Sequence, residues 1–262
     1  MSRAAALAAC ALLGACATRS GPAPVETPHG YLDEAAIRSL ADATPAPAPW
    51  SPSDLTPVEP GTDRWWMATA HAQLAAPDGA QHFDCVLNAR FAQRPRPALT
   101  RLMNRLLIDA DRLTRLLSEQ TPRPRPIKAI DGLQPCQRVN DAMREGPSWP
   151  AGGAVVGAAY GEMFAALAPD RAAEVRGIGR EIGQSRAICR MNWPSDVADG
   201  AALGRRLFAA EASTEFAADL DAARAEVAAA RAEGLTNPGC AAERRAFAQT
   251  GAQAGRGAAS AP

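Results

Sequence analysis

Residues 148–199 constrain the fold more than any other stretch, because two helical apolar patterns there are joined to two polar segments. The first polar segment is Pro150-Ala151-Gly152-Gly153, and the second, over residues 185–196, reads SRAICRMNWPSD. Apolar residues between them recur every three or four positions, as on the buried face of a helix. They are Val156, Tyr160, Met163, Phe164 and Leu167, followed by Val175, Ile178 and Ile182. The pattern predicts two packed helices, the second capped by Asp170.

The rest of the chain has further helical patterns and no strand pattern of useful length. Thr100 is predicted to cap a helix that runs to about residue 119. Its apolar stripe consists of Leu102, Met103, Leu106, Leu113 and Leu117. A short helix is predicted over residues 33–42 with Asp33 as its cap, and an Ala-rich helix to about residue 233 after the capping pair Ser213-Thr214. We therefore predict an all-α protein with a single compact helical domain.

The composition sets the size of that domain and excludes some partners. With 262 residues, 47% of them apolar, the chain can form one domain of about 200 residues plus appendages. The formal net charge is zero, which gives no electrostatic reason to expect binding to nucleic acid. Nothing in the sequence indicates a metal or an organic cofactor.

The first residues have the layout of an export signal, an early Arg followed by a short apolar run. Leu13-Gly14-Ala15-Cys16 resembles a bacterial lipobox, which predicts a signal peptide over residues 1–15 and a lipidated Cys16. Ala17 favours the outer membrane as the site of that anchor. Ordinary cleavage after Ala15-Cys16-Ala17, giving a soluble periplasmic or secreted protein, is the alternative.

The remaining boundaries follow from composition. Residues 16–63 are Pro-rich and predict a tether and an N-terminal arm, residues 64–240 form the helical domain, and residues 241–262 form a low-complexity tail. After export four cysteines remain, and an even number in an oxidising compartment favours disulfides. They are Cys85, Cys136, Cys189 and Cys240. Three pairings exist; we favour Cys85–Cys136 and Cys189–Cys240, in which each pair flanks one half of the polar site.

The polar segments and their spacing resemble the phosphatidic acid phosphatase type 2 superfamily, in particular the bacterial class A non-specific acid phosphatases. That family carries three signatures: Lys, six residues, Arg-Pro; then Pro-Ser-Gly-His; then Ser-Arg, five residues, His, three residues, Asp. The resemblance covers roughly residues 63–233. It implies the all-α phosphatase fold and, by analogy, a homodimer.

The spacing of all three signatures is kept, but several of the reactive residues are replaced. Retained are Arg125-Pro126, Gly152, Ser185-Arg186 and Asp196. The Lys of the first signature is Ser118, the Ser and His of the second are Ala151 and Gly153, and the nucleophilic His of the third is Asn192. The resemblance thus implies a degenerate catalytic site that keeps an anion-binding set of Arg125, Gly152 and Arg186.

These replacements matter because the family reaction needs one imidazole as nucleophile and another as acid. An amide nitrogen is not a nucleophile at phosphorus, and glycine has no proton to donate. Loss of a nucleophile from such a unit can cost about 10⁶ in rate. The only histidines, His29, His71 and His82, all precede the first signature, and Cys189 is more consistent with a structural thiol.

Two roles for the retained charges stay open, a pocket for phosphate or another anion and a buried ion-pair network without a ligand. Asp196 is expected to pair with Arg186 or with the Asn192 amide, and Arg123 and Lys128 to be solvated. Three functions follow: a non-catalytic periplasmic lipoprotein that binds an anionic small molecule, an active phosphatase with a different nucleophile, and an envelope protein-docking module.

Overall fold

The most apolar helix of the chain lies at the centre of the molecule and is buried on almost every side. It is α7, Gly152–Leu167, whose buried residues include Val155, Tyr160 and Phe164. The structure, a computed structural model, describes residues 28–55 and 58–259, with the backbone alone described over 250–259. A helix that is hydrophobic all round must be covered by other elements. Helices α8, α9 and α4 supply that cover.

The described helices follow one another in a simple order. They are α1 (Glu34–Asp42), α2 (Asp63–Ala70), α3 (Asp84–Leu87), α4 (Pro97–Gln120), α5 (Pro126–Ala129), α6 (Asp141–Glu145), α7 (Gly152–Leu167), α8 (Ala172–Ile188), α9 (Pro194–Ala210), α10 (Thr214–Ala232) and α11 (Cys240–Ala259). Short 3-10 turns cover Pro52–Asp54, Asp78–Phe83, Phe91–Gln93 and Pro169–Arg171. No strand occurs over 28–55 and 58–259, which confirms the predicted all-α fold.

Close approach of α7 and α8 depends on a pair of glycines. A Cβ atom on Gly157 would lie 2.7 Å from the carbonyl oxygen of Gly179, and one on Gly179 would lie 2.4 Å from that of Gly157. Real Cβ atoms do not come this close to backbone, so the two helices can pack at this distance only without these side chains. Because α8 carries Arg186, the glycine pair also fixes one wall of the site described below.

The N-terminal arm is bound to α4 through buried polar contacts. The carboxylate of Asp109 accepts hydrogen bonds from the backbone N–H groups of Tyr31 at 2.5 Å and Leu32 at 3.2 Å. The guanidinium of Arg105 lies 3.9 Å from the centre of the Tyr31 ring. The arm then continues into α1, where Asp33 caps the helix as predicted.

Of the four predicted caps, two are wrong and two are confirmed, Asp33 being one of the latter. Helix α4 begins at Pro97 rather than near Thr100, because a proline at the first position can start a helix without a side-chain cap. Asp170 lies in the 3-10 turn before α8 and pairs with Arg231 at 2.5 Å instead of capping the helix. Ser213 caps α10 as predicted, accepting from the N–H of Phe216.

The favoured disulfide pairing is wrong, although all four cysteines are paired. The bonds are Cys85–Cys240 and Cys136–Cys189, with Cα–Cα distances of 5.4 and 4.7 Å. Packing of α11 against α2 returns the C-terminal region to the start of the domain, next to Cys85. Helix α11 therefore occupies most of the segment predicted as a low-complexity tail.

Membrane association can be examined only within the described residues. None of the described helices has both the length and the apolar character of a membrane span. The signal sequence and Cys16 lie outside the residues that the structure describes.

Candidate functional site

Arg125 and Arg186 meet three of the four positions that the resemblance reads as replaced, Ser118, Gly153 and Asn192, at one cavity of about 450 Å³. The fourth, Ala151, is fully buried and does not line it. Its walls come from the C-terminal half of α4, the segment before α5, the N-terminus of α7 and the end of α8. The lining residues are Asp111, Thr114, Arg115, Ser118, Arg125, Pro147, Pro150, Gly152, Gly153, Arg186 and Asn192. Segments far apart in sequence thus line one cavity.

The C-terminus of α8 turns sharply and brings Asn192 back beside Arg186. The N–H of Met191 donates to the carbonyl oxygen of Arg186 at 3.0 Å, and the N–H of Arg190 donates to that of Ala187 at 3.0 Å. Arg190 has φ 62°, the left-handed conformation that closes a helix in this way. The turn places a charged and an amide side chain on the same wall.

Two arginines in the cavity carry positive charge without a carboxylate partner among the described residues. Arg125 donates to the carbonyl oxygen of Met191 at 2.7 Å, while its Nε has no hydrogen-bond partner in the described part of the chain. Arg186 donates to the side-chain oxygen of Gln137, at 3.4 Å. Burial lowers the pKa of Arg125, and burial together with the charge of Arg125 lowers that of Arg186 to about 10. Arginine keeps its proton at neutral pH, so both side chains bring positive charge to the cavity, while the carboxylate of Asp111 in the same lining is paired with Arg115.

Helix α7 begins at this cavity and adds polar groups to it. No side chain caps the helix, because the N-cap residue is Ala151. The first backbone N–H groups of α7 therefore lack a side-chain cap, and they form the positive end of the helix dipole at the cavity. The Oγ1 atom of Thr114, beside Gly152, has no hydrogen-bond partner in the described part of the chain. Helix N-termini and hydroxyls of this kind bind oxyanions in other proteins.

Asp196 does not pair as predicted. Its carboxylate accepts from Arg123 at 2.5 Å and from the hydroxyl of Ser148 at 2.5 Å, rather than from Arg186 or Asn192. Burial raises the pKa of Asp196, and the contacts with Ser148 and Arg123 oppose that rise. The expectation that Arg123 is solvated is wrong, because its side chain is only 8% exposed and its charge is neutralised by this pairing.

Asn192 is also occupied. Its side-chain N–H donates to the carbonyl oxygen of Ser148 at 2.5 Å, and the residue is buried. The same serine donates its hydroxyl to Asp196 and accepts from the N–H of Trp193 at 3.3 Å. Through these hydrogen bonds Ser148 connects the segment before α7 to residues 192–193 and to Asp196 of α9.

The neighbouring serine of the third signature points elsewhere. Consecutive helical residues are turned by about 100°, and Ser185 faces a buried cluster rather than the cavity. Its hydroxyl contacts Arg64 at 2.9 Å and His71 at 2.8 Å. Burial, and next the nearby His82, lower the pKa of His71 well below its usual value. This histidine therefore supports the fold and does not line the cavity.

Other expected side chains are placed as follows. Lys128 is exposed and pairs with Glu145, and the hydroxyl of Ser118 donates to the carbonyl oxygen of Arg115 at 2.9 Å. Cys189 is held in a disulfide. Sequence reasoning missed Ser148 and Thr114 and did not predict the buried pairing of Arg123. Only Arg123 had a signal, an Arg-Pro pair two positions before the matched Arg125-Pro126.

An all-α domain with an arginine-lined cavity is the class of protein that the fold and the site define. No family model matches the chain. It is 30% identical over 138 residues to a non-specific acid phosphatase of Providencia stuartii, covering 52% of this chain and 55% of that protein. It is 28% identical over 178 residues to an acid phosphatase of Zymomonas mobilis, covering 67% of each.

A third relative gives the same indication. A non-specific acid phosphatase of Salmonella typhimurium is 27% identical over 150 residues, covering 57% of this chain and 60% of that protein. The chain thus spans between 55% and 67% of the length of these relatives. Together the similarities support a relationship to the bacterial acid phosphatases.

Proposed function

We propose that this protein is a non-hydrolytic relative of the acid phosphatases that binds phosphate or a similar oxyanion. One observation supports the proposal: Arg125 and Arg186 reach the same cavity, and among the described residues neither forms an ion pair with a carboxylate. Two partly buried cations near each other are unfavourable unless an anion binds between them. A planar guanidinium forms forked hydrogen bonds to a phosphate. Thr114 and the N-terminus of α7 add further donors.

The proposed lack of hydrolysis follows from the residues that line the cavity. They include no imidazole and no thiol. The carboxylate of Asp111, a further potential nucleophile in the lining, is paired with Arg115 at 2.5 Å. Ser118 donates its proton to a backbone carbonyl and has no base beside it among its hydrogen-bond partners. The arginines would supply electrostatic stabilisation of a phosphoryl group, whereas no histidine lines the cavity to act as nucleophile or acid.

The proposed location is the periplasm, with Cys16 as a lipid anchor in the outer membrane. The two disulfides are consistent with an oxidising compartment. Mass spectrometry of the membrane fraction would show acylated Cys16, and Cys16→Ala would release the protein from the membrane. Release of the unmodified protein in wild-type cells would contradict the anchor.

The test of the binding function compares three arginine variants. Removing a hydrogen bond to a charged group costs about 1.5–3 kcal/mol, so Arg125→Gln and Arg186→Gln should each weaken phosphate binding by about tenfold or more in calorimetry. Arg176→Gln, on the exposed side of α8 beside Glu162, is the matched control and should bind like the wild type. Equal affinities in all four proteins would refute the site.

An active phosphatase is the second candidate, because the relatives are named acid phosphatases. Hydrolysis of p-nitrophenyl phosphate by the purified protein, abolished by Arg186→Gln, would establish that function instead. The triple variant Gly153→His/Asn192→His/Ser118→Lys restores the family side chains. We expect no turnover by the wild type and measurable turnover by this variant.

A further inference from the structure

A separate cavity of about 260 Å³ lies between α2, α3 and α11. It shares no lining residue with the arginine-lined cavity. Its volume is below that of cavities for drug-sized molecules, so it suits a small ligand. The polar and aromatic part of its lining includes Asp63, Trp66, His71, His82 and Glu243. We call it the histidine cavity.

The walls of the histidine cavity are joined by a covalent bond and an ion pair. The disulfide Cys85–Cys240 connects α3 to α11. Arg245 of α11 pairs with Asp63 of α2 at 2.7 Å. These two links hold the three helices together around the cavity.

Hydrogen bonds determine which nitrogen of each histidine carries the proton. The single hydroxyl proton of Ser185 goes to the carbonyl oxygen of Glu181 at 2.8 Å, so Nδ1 of His71, 2.8 Å from that hydroxyl, is a donor. Nε2 of His82 donates to the carbonyl oxygen of Gln73 at 2.7 Å. Burial lowers the pKa of both histidines, so both are neutral at pH 7. Nε2 of His71 and Nδ1 of His82 are therefore unprotonated, and each can accept a hydrogen bond.

The carboxylates near this cavity outnumber the cations that neutralise them. Asp63 is paired with Arg245, whereas Glu243 forms no ion pair among the described residues. Burial, and next the charge of Asp84, raise the pKa of Glu243 to about 7, against the opposing effect of Arg244. An ionised Glu243 beside Asp84 is unfavourable unless a cation binds there. The charge balance thus favours a cationic ligand.

The aromatic residue of the lining favours an organic cation. Trp66 is 61% exposed, alone among the large apolar side chains of the described residues. The face of an indole attracts a cation more strongly than the ring of Tyr or Phe does. A metal ion fits less well, since no group of three or more His, Cys, Asp or Glu side chains in the described part of the chain is placed to hold one.

We propose that the histidine cavity binds a small primary ammonium compound. The N–H groups of the ligand donate to the unprotonated nitrogens of His71 and His82. Glu243 balances its positive charge, and the Trp66 ring covers it. The site is independent of the proposed anion site, so either can exist without the other.

The test is a calorimetric titration at pH 8 with propylammonium and with 1-propanol, its uncharged counterpart. We expect the wild type to bind propylammonium at least about tenfold more tightly than 1-propanol. Glu243→Gln removes the balancing charge and should weaken propylammonium binding by about tenfold. Glu174→Gln, in an exposed ion pair on α8, is the matched control and should bind like the wild type.

Two further measurements do not depend on the packing of Glu243. Trp66→Ala, at an exposed position, should weaken binding by about two- to fivefold. A primary ammonium keeps its proton up to about pH 10, so the affinity of the wild type should rise by about tenfold between about pH 6 and 8 as Glu243 ionises. Glu243→Gln should not show this rise.

Three results would overturn the ammonium site. They are the absence of propylammonium binding by the wild type, equal binding of 1-propanol, and an affinity that neither Glu243→Gln nor Trp66→Ala changes. Tighter binding of Zn²⁺ than of propylammonium, lost in His82→Gln, would replace the ammonium site by a metal site.

Discussion

The side chain of Arg186 lies directly against the backbone of Gly153. A Cβ atom added to Gly153 would stand 2.6 Å from Cδ and 3.1 Å from Nε of Arg186. The family resemblance predicts a histidine at this position. In this chain the aliphatic part of the Arg186 side chain lies in the space that a side chain at position 153 would need. The absence of a side chain at Gly153 therefore leaves room for the side chain of Arg186.

We predict that Gly153→Ala weakens phosphate binding without unfolding the protein. The new methyl group must displace Arg186, and losing a hydrogen bond to a charged group corresponds to about tenfold or more in affinity. Alanine in place of glycine near the start of α7 favours the helix by up to about 1 kcal/mol. Calorimetry and thermal unfolding of the same samples would separate the two effects.

Gly177→Ala is the matched control for that variant. It lies on α8, and an added Cβ would meet only the Nη2 atom of Arg180, at 3.6 Å. Phosphate affinity should stay at the wild-type value there. Unchanged affinity in Gly153→Ala as well would show that the contact with Arg186 has no role in binding.

A second prediction concerns the buried pair of Arg123 and Asp196. Removing one member of such a pair leaves the other charge uncompensated, at a cost of about 3–5 kcal/mol. We expect Asp196→Asn to lower the free energy of unfolding by that amount in urea denaturation. The double variant Arg123→Met/Asp196→Asn should lose less than the sum of the single changes, because no buried charge remains.

The exposed pair Lys128 and Glu145 provides the comparison. Glu145→Gln should change the free energy of unfolding by less than about 1 kcal/mol, as is usual for surface ion pairs. Additive losses in the double variant of the buried pair would indicate that its members act independently.

A third prediction is a pH dependence that arises from Glu211, after the end of α9. The side chain is buried, and neither carboxylate oxygen has a hydrogen-bond partner among the described residues. Burial, and next the charge of Asp109, raise the pKa of Glu211 to about 8, against the opposing effect of Arg105. The folded state thus binds this proton more tightly than the unfolded state does.

The stabilisation that this proton gives the folded state is fully present below the pKa of Glu211 in the unfolded chain, near 4.5. It is lost as the pH rises to the folded-state pKa of about 8. Each unit of pKa difference corresponds to about 1.4 kcal/mol. Relative to wild type, Glu211→Gln should therefore become progressively more stable as the pH increases across this window. Glu174→Gln, at an exposed site, is the control. A constant difference between wild type and Glu211→Gln at every pH would contradict the assignment.

Helix content was predictable because the apolar spacing in α4, α7 and α8 depends only on local sequence. The first residues of the helices were less predictable. Helix α4 begins at Pro97, before Thr100, because a proline in the first turn needs no side-chain cap. The disulfide pairing depended on the return of α11 to the start of the domain, and no local pattern reports such a tertiary contact.

The candidate site was predictable only in part for a similar reason. Family spacing identified Arg125 and Arg186, and the structure brings them to one cavity. The sequence contains two consecutive Arg-Pro pairs, and the spacing alone does not indicate which guanidinium enters a pocket. In the structure Arg123 turns inward to Asp196. Ser148 and Thr114 became visible only when distant helices were packed together.

Trp50 in the arm stacks on Trp193, with ring centres 4.2 Å apart and planes 18° from parallel. Trp193 directly follows Asn192 of the cavity, and Arg123 holds the arm nearby through the carbonyl oxygen of Ala48. Stacked indoles at this distance couple their electronic transitions. The protein thus contains an intrinsic optical reporter, in which near-ultraviolet circular dichroism would register any ligand that shifts this wall or loosens the arm, without an attached dye.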